Sequence, residues 1–268
     1  MNAITLAIAL GAVIGLVMAL TGAGGGVLAT PLLVFGLQLP VLQAAPVGLL
    51  AVGLAAALGA ALGLRQGIVR YRAAALIGAA GMLVAPLGVF LAQRLPNRPL
   101  LAAFALLLLY TAWRMLKRPL TPAPLAATVL CRVSPIDHRL TWTRPCARAL
   151  AGTGLIAGVL SGLLGVGGGF IIIPALKRHT DLEIRSIQAT SLAVIALVSL
   201  SGVVTAALHS PVPWGAAWPF ASGAVLALLA GRQFAQRIDA RRLQQAFAWF
   251  SVLVALLMLA RALDWVAN

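Results

Sequence analysis

Long apolar blocks separated by short, basic connections make up nearly the whole chain. Four blocks come first, at residues 4–21, 41–64, 73–92 and 100–116; four more follow at 149–164, 186–208, 215–234 and 242–263. Most reach the roughly 17–25 residues that a transmembrane helix needs, which predicts an all-α, polytopic integral membrane protein. One apolar piece is shorter. Val27–Leu37 has eleven residues, or about 16 Å of helix, close to half a membrane. Pro86 falls inside the third block and predicts a kink there.

A five-residue phrase interrupts this pattern twice. Gly22-Ala23-Gly24-Gly25-Gly26 is followed by Pro31, and 143 positions later Gly165-Val166-Gly167-Gly168-Gly169 is followed by Pro174. Other identities keep nearly the same register. Gly154, Gly158 and Gly162 answer Gly11, Gly15 and Ala19; Ile187-Gln188-Ala189 answers Leu42-Gln43-Ala44; Ala235-Gln236-Arg237 answers Ala92-Gln93-Arg94. The chain therefore divides into a first transmembrane repeat (1–117), a Pro/Arg-rich linker (118–147) and a second transmembrane repeat (148–268).

Orientation follows from counting Lys and Arg by side, since cytoplasmic connections carry the excess. If every long block is a single crossing, the two sides collect 11 and 9 cations, with no bias. If residues 149–176 instead enter and return to the same side, and residues 4–36 do likewise, the split becomes 17 against 3. That arrangement places the N-terminus outside, the linker in the cytoplasm and the two repeats inverted relative to one another. The first helix of each repeat is then a broken or re-entrant one.

Composition narrows the function. With 62% apolar residues, 9% charged residues and a mean hydropathy of +1.02, the chain is not a soluble domain. The net charge of +15 sets orientation in the bilayer and is not a nucleic-acid surface. The first apolar run lacks an Ala-x-Ala-like cleavage site, so it is expected to stay as a helix. Cys131 and Cys146 share one loop with His138 between them; they make a poor metal site and are read as reduced bystanders. All five acids, Asp137, Asp181, Glu183, Asp239 and Asp264, lie in connections or near helix ends. A mid-membrane carboxylate, the usual mark of a proton relay or cation site, is not among them. No nucleophile–base set, metal spacing or Walker-type loop is present, so neither catalysis nor a cofactor is expected.

The glycine phrases suggest anion chemistry. Glycine admits positive φ, and a run of it exposes consecutive backbone N–H groups as an anion nest. A helix restarting at Val27 or Phe170 points its N-terminal N–H groups and positive dipole end at the break. Irregular backbone at this depth is tolerated only when buried in protein or lining a cavity. The candidate substrate-binding set is Thr21, Gly22, Gly24, Gly25, Gly26, Gln43, Gly165, Gly167, Gly168, Gly169, Gln188, Thr190 and Ser191, with Ser161 as a further nearby hydroxyl. Single glycines spaced four apart, such as Gly11, Gly15, Gly59, Gly63, Gly154 and Gly158, read instead as helix-packing positions. Gln43 and Gln188 fit equally a satisfied buried amide, and Thr190 and Ser191 fit a bond back to their own helix.

The phrases Thr21-Gly22-Ala23-Gly24-Gly25-Gly26-Val27-Leu28-Ala29-Thr30-Pro31 and Gly165-Val166-Gly167-Gly168-Gly169-Phe170-Ile171-Ile172-Ile173-Pro174, with Ala189-Thr190-Ser191 downstream, resemble the signature of the TauE/SafE family. The resemblance spans nearly the whole chain. It implies a bacterial inner-membrane permease, with members linked to export of sulfite and organosulfonates and others to uptake of sulfur compounds. Where the second repeat reads Ala189-Thr190-Ser191, the first reads Ala44-Ala45-Pro46, so an asymmetric site is expected. The function expected is secondary transport of a small anion by movement of one repeat against the other; an anion channel and a non-transporting scaffold are the alternatives. An inside-negative potential of about 100 mV favours exit of a monovalent anion by about 2.3 kcal/mol, which suits an exporter. The lipid bilayer and a small anion are the expected partners, with coupling ion and oligomeric state open.

Overall fold

The computed structural model describes residues 3–117, 130–131, 142–209, 211–234 and 240–267. Among them are ten α-helices: α1 (Ala3–Thr21), α2 (Ala29–Gly36), α3 (Val41–Arg65), α4 (Tyr71–Arg94), α5 (Asn97–Lys117), α6 (Arg144–Leu164), α7 (Gly169–His179), α8 (Ile184–His209), α9 (Trp214–Phe234) and α10 (Ala240–Ala267). A 3-10 helix, Ala23–Leu28, joins α1 to α2. Eight helices are long and apolar enough to cross a membrane, and α2 and α7 are the short pieces. In a bilayer the helix is the local answer to obligatory backbone hydrogen bonding. Large exposed side chains such as Leu83, Leu208, Leu226 and Trp249 give the bundle an apolar outer surface suited to lipid. Pro86 lies within α4, which continues to Arg94.

The single glycines act in packing, as their spacing predicts. A Cβ added at Gly11 would strike the Phe220 carbonyl oxygen, and one at Gly154 the Ile77 carbonyl oxygen. Gly15 stands in the same way against Ala224, and Gly158 against Gly81. Thus α1 runs parallel to α9, and α6 parallel to α4, with backbones close enough that only glycine fits. The two interfaces are copies of each other, because Gly11 and Gly154 differ by the same 143 positions as Ile77 and Phe220. These pairings suggest an internal repeat.

At the centre α3 and α8 run antiparallel, with Gly53 facing Ser199, Gly59 facing Leu192 and Gly63 facing Ala189. Beside them α4 and α8 run parallel: Gly78 faces Leu197, and the Ser201 hydroxyl donates to the Met82 carbonyl at 2.9 Å. Since α6 and α8 both run parallel to α4, they point the same way, and α7 between them must bring the chain back. The first hairpin returns likewise, with Gly25 against Met18 and Gly36 against Leu10.

The reading of the cysteines needs correction. Cys131 and Cys146 form a disulfide, their Cα atoms 5.3 Å apart. Folding brings them together because the Cys131 N–H donates to the His179 carbonyl at 2.9 Å, at the end of α7, while Cys146 sits in the first turn of α6. The bridge thus ties the linker to both legs of the second hairpin. Residues 118–129 and 132–141 of the linker, and the Ala235-Gln236-Arg237 match, lie outside the described residues.

Candidate functional site

The two glycine phrases meet near the middle of the bundle. A Cβ added at Gly26 would lie 2.9 Å from the Val166 carbonyl oxygen and 3.0 Å from the Val52 side chain. One at Gly167 would lie 3.1 Å from the same Val52 and 3.0 Å from Ile195. Val52 is half-way along α3 and Ile195 near the middle of α8, which places the meeting point at mid-depth. Gly22, Gly25, Gly26 and Gly165 to Gly169 are all buried; the surroundings of Gly24 lie outside the described residues.

The same triple glycine takes two different courses. In the first phrase Gly22 has φ +75°, and the chain then winds directly into the 3-10 helix. Within that winding the Gly26 carbonyl accepts the Ala29 N–H. In the second phrase Gly165, Gly167 and Gly168 have φ of +72°, +75° and +74°. Gly165 closes α6, its N–H donating to the Ser161 carbonyl at 2.8 Å, and Gly168 opens α7 as its N-cap without a side-chain cap. The left-handed conformation at three sites excludes a side chain without strain. The first N–H groups of α7 have no intrahelical acceptor and face the second break, along with the positive end of the helix dipole. The second break therefore opens an α-helix directly, whereas the first leads into a 3-10 turn.

Each break is secured by the opposite half. The Thr30 hydroxyl, fully buried, reaches the Leu164 carbonyl at 3.1 Å and the Gly165 carbonyl at 3.2 Å, covering the C-terminal end of α6. The Gln188 amide donates to the Thr21 carbonyl at 3.4 Å, at the end of α1, and its side chain lies against Gly22. Gln188 is thus tied to the first break. Gln43 is half-buried in the first turn of α3, where its backbone N–H bonds the Pro40 carbonyl. The hydroxyls of Thr21 and Ser191 donate to Val17 and Ile187 of their own helices at 2.7 Å each. Thr190 accepts the Arg70 backbone N–H at 3.0 Å, at the start of α4. Glycines and Gln188 are brought together at the breaks, whereas Thr190 and Ser191 make bonds within the scaffold.

Two residues near the breaks were not identified as candidates from the sequence. Thr30 is one. Ser199 is the other: its hydroxyl is fully buried, lacks a hydrogen-bond partner among the described residues and lies 3.4 Å from where a Gly167 Cβ would be. The available signal was a mismatch between the halves. Thr30 stands in register with Ile173, and Ser199 with Leu54.

Among the described residues no group of three His, Cys, Asp or Glu side chains is placed to hold a metal ion. Eight long apolar helices, two of them the first legs of broken hairpins that meet near the middle of the bundle, fit a membrane transporter of small molecules. The chain belongs to the TauE/SafE family: the family model described as "Sulfite exporter TauE/SafE" matches residues 7–258. It is 29% identical to a protein of Xylella fastidiosa strain Temecula1 named "Probable membrane transporter protein", over 94% of this chain and 93% of that one. A protein of the same name from Xylella fastidiosa strain 9a5c is 30% identical, again over 94% and 93% of the two chains. No solved structure matches.

Proposed function

We propose that the protein is a secondary transporter, working as an exporter, of a small anion in the bacterial inner membrane. The substrate class is a sulfur oxyanion or organosulfonate such as sulfite. One observation carries this reading: the open start of α7, preceded by three left-handed glycines, is buried at mid-depth against the other break. Such a start offers backbone N–H donors and a positive dipole end to an anion, in an interior where these interactions are poorly screened.

Inverted repeats fit the same geometry. The equivalent helices α3 and α8 pack antiparallel, which supports an axis lying across the helices, in the plane of the membrane. An axis along the membrane normal would leave them parallel. The 17-to-3 division of Lys and Arg supports the same arrangement and puts the linker in the cytoplasm. The hairpins then enter from opposite faces, and alternating exposure of their meeting point moves the anion across.

Purified protein in proteoliposomes, supplied separately with sulfite, sulfate, thiosulfate and a sulfonate, tests the assignment. Saturable flux of at least one of these is expected. Inserted protein that moves none of them refutes the substrate class, and flux that rises linearly with concentration points to a channel.

A further inference from the structure

We propose that Ser161 and Ser199 are substrate ligands, completing an anion site of neutral donors that accepts monovalent oxyanions and rejects divalent ones. This rests on the transport reading above and specifies its site. Both hydroxyls are buried, at 1% and 0% exposure, and neither has a hydrogen-bond partner among the described residues. A buried hydroxyl without a partner is unfavourable and calls for a reason. Here the surroundings supply one. Ser199 lies beside Gly167, in the turn that opens α7. Ser161 is one turn beyond Ala157 on α6, and Ala157 is the residue that Gly168 rests on. Ser199 thus borders the open helix start from α8, and Ser161 is one helical turn from it on α6. Both occur only in the second repeat, since Met18 and Leu54 occupy the matching positions of the first. The second break is also the one that opens an α-helix directly.

Charge selectivity follows from the donor set. The side chains nearest the two breaks, Met18, Val52, Ala157, Gln188, Ile195 and Ser199, are all neutral. Backbone N–H groups, a helix dipole and two hydroxyls can replace the hydration of one negative charge. A second charge buried there would have no counter-charge, and its desolvation would go uncompensated. A hydroxyl can also accept a hydrogen bond from a protonated oxyanion, which backbone N–H groups cannot.

The test is initial-rate flux in proteoliposomes with methanesulfonate, hydrogen sulfite and sulfate as probes, using wild type, S161A and S199A. The expectation for wild type is a preference of at least about a hundredfold for methanesulfonate over sulfate. Each alanine variant should raise KM for methanesulfonate about tenfold, the loss of one hydrogen bond to a charged group. Its melting temperature should be unchanged or higher, because an unsatisfied buried hydroxyl has been removed. A purely structural serine would lower the melting temperature and leave KM alone, overturning the proposal. S199C, with a weaker donor of similar size, should give an intermediate KM and replaces S199A if that variant fails to assemble. Wild-type flux with unchanged KM in the variants, or with sulfate carried as well as methanesulfonate, overturns this inference and leaves the transport reading standing. Absence of flux of any probe in wild type overturns both.

Discussion

Replacing Thr30 with valine removes one hydroxyl and leaves the shape of the side chain almost unchanged. The consequence can be worked out from the bonds it makes. Thr30 reaches two carbonyls, Leu164 at 3.1 Å and Gly165 at 3.2 Å, from a fully buried position. The Leu164 carbonyl is one of the last four of α6, which have no intrahelical donor. The register-matched position in the second repeat is Ile173, so a branched aliphatic side chain suits the backbone there. No cavity is created, and the effect reduces to unmet hydrogen bonding. A buried acceptor deprived of its donor costs about 1–3 kcal/mol. At about 1.4 kcal/mol per tenfold, the equilibrium between docked and released hairpin shifts by roughly 5-fold to 150-fold.

Equilibrium unfolding of T30V in mixed micelles reads the stability change, with T30S as the control that keeps the hydroxyl. T30V should lose about 1–3 kcal/mol, and T30S should stay within about 0.5 kcal/mol of wild type. Hydrogen exchange at the amides of residues 165–169 should accelerate in T30V, since the tip of the second hairpin is what the bond secures. A T30V protein as stable as wild type, with unchanged exchange at the tip, would show that the bond does not hold the hairpin and refute the reasoning.

Three further outcomes are expected. G158A forces a methyl group onto the Gly81 carbonyl and should lose about 1–3 kcal/mol. G152A meets nothing within 4 Å and should be neutral or stabilising by up to about 1 kcal/mol; equal thermal stability of the two variants would contradict the packing. G168V, at φ +74° with its Cβ 3.0 Å from Ala157, and G25V, 2.7 Å from the Met18 backbone nitrogen, should abolish flux in protein that still inserts, and normal flux in both would remove the breaks from the site. Under the proposed cytoplasmic placement of the linker, the Cys131–Cys146 disulfide of the structure forms on oxidation and is open in the reducing cytoplasm. Alkylation before lysis should therefore label both, and a pair already protected in intact cells would place the linker outside and reverse the topology.

The helices were legible because apolar length is a strong signal. α3 was expected at 41–64 and runs Val41–Arg65. α6 was expected from residue 149 and starts at Arg144, because the Thr143 hydroxyl accepts the Cys146 N–H as an N-cap and Pro145 suits a first turn. The return of each hairpin could be read from charge, since only a same-side return separates the cations by face. The conformations of the two breaks could not. Both carry three consecutive glycines, and glycine takes either sign of φ so readily that packing around it decides. The cysteine pairing was hidden for a related reason. It depends on Cys131 being held at His179, a contact between segments almost 50 residues apart.

The tight interfaces also bear on what moves. The sequence divides at the linker, and the simplest picture of transport rocks one sequence half against the other. Yet the glycine-to-backbone contacts pair α1 with α9 and α6 with α4, so each hairpin is packed most closely on the opposite half. Thr30 and Gln188 add hydrogen bonds in the same sense, each securing the hairpin of the other half. Rocking the sequence halves apart would separate both sets of close contacts at once. Units made of α1 with α9, and α6 with α4, would keep those contacts in a movement past the antiparallel pair α3 and α8. The two breaks lie against this central pair at Val52, Ile195 and Ser199, so a shift between the crossed units acts directly on the place where the anion would be held.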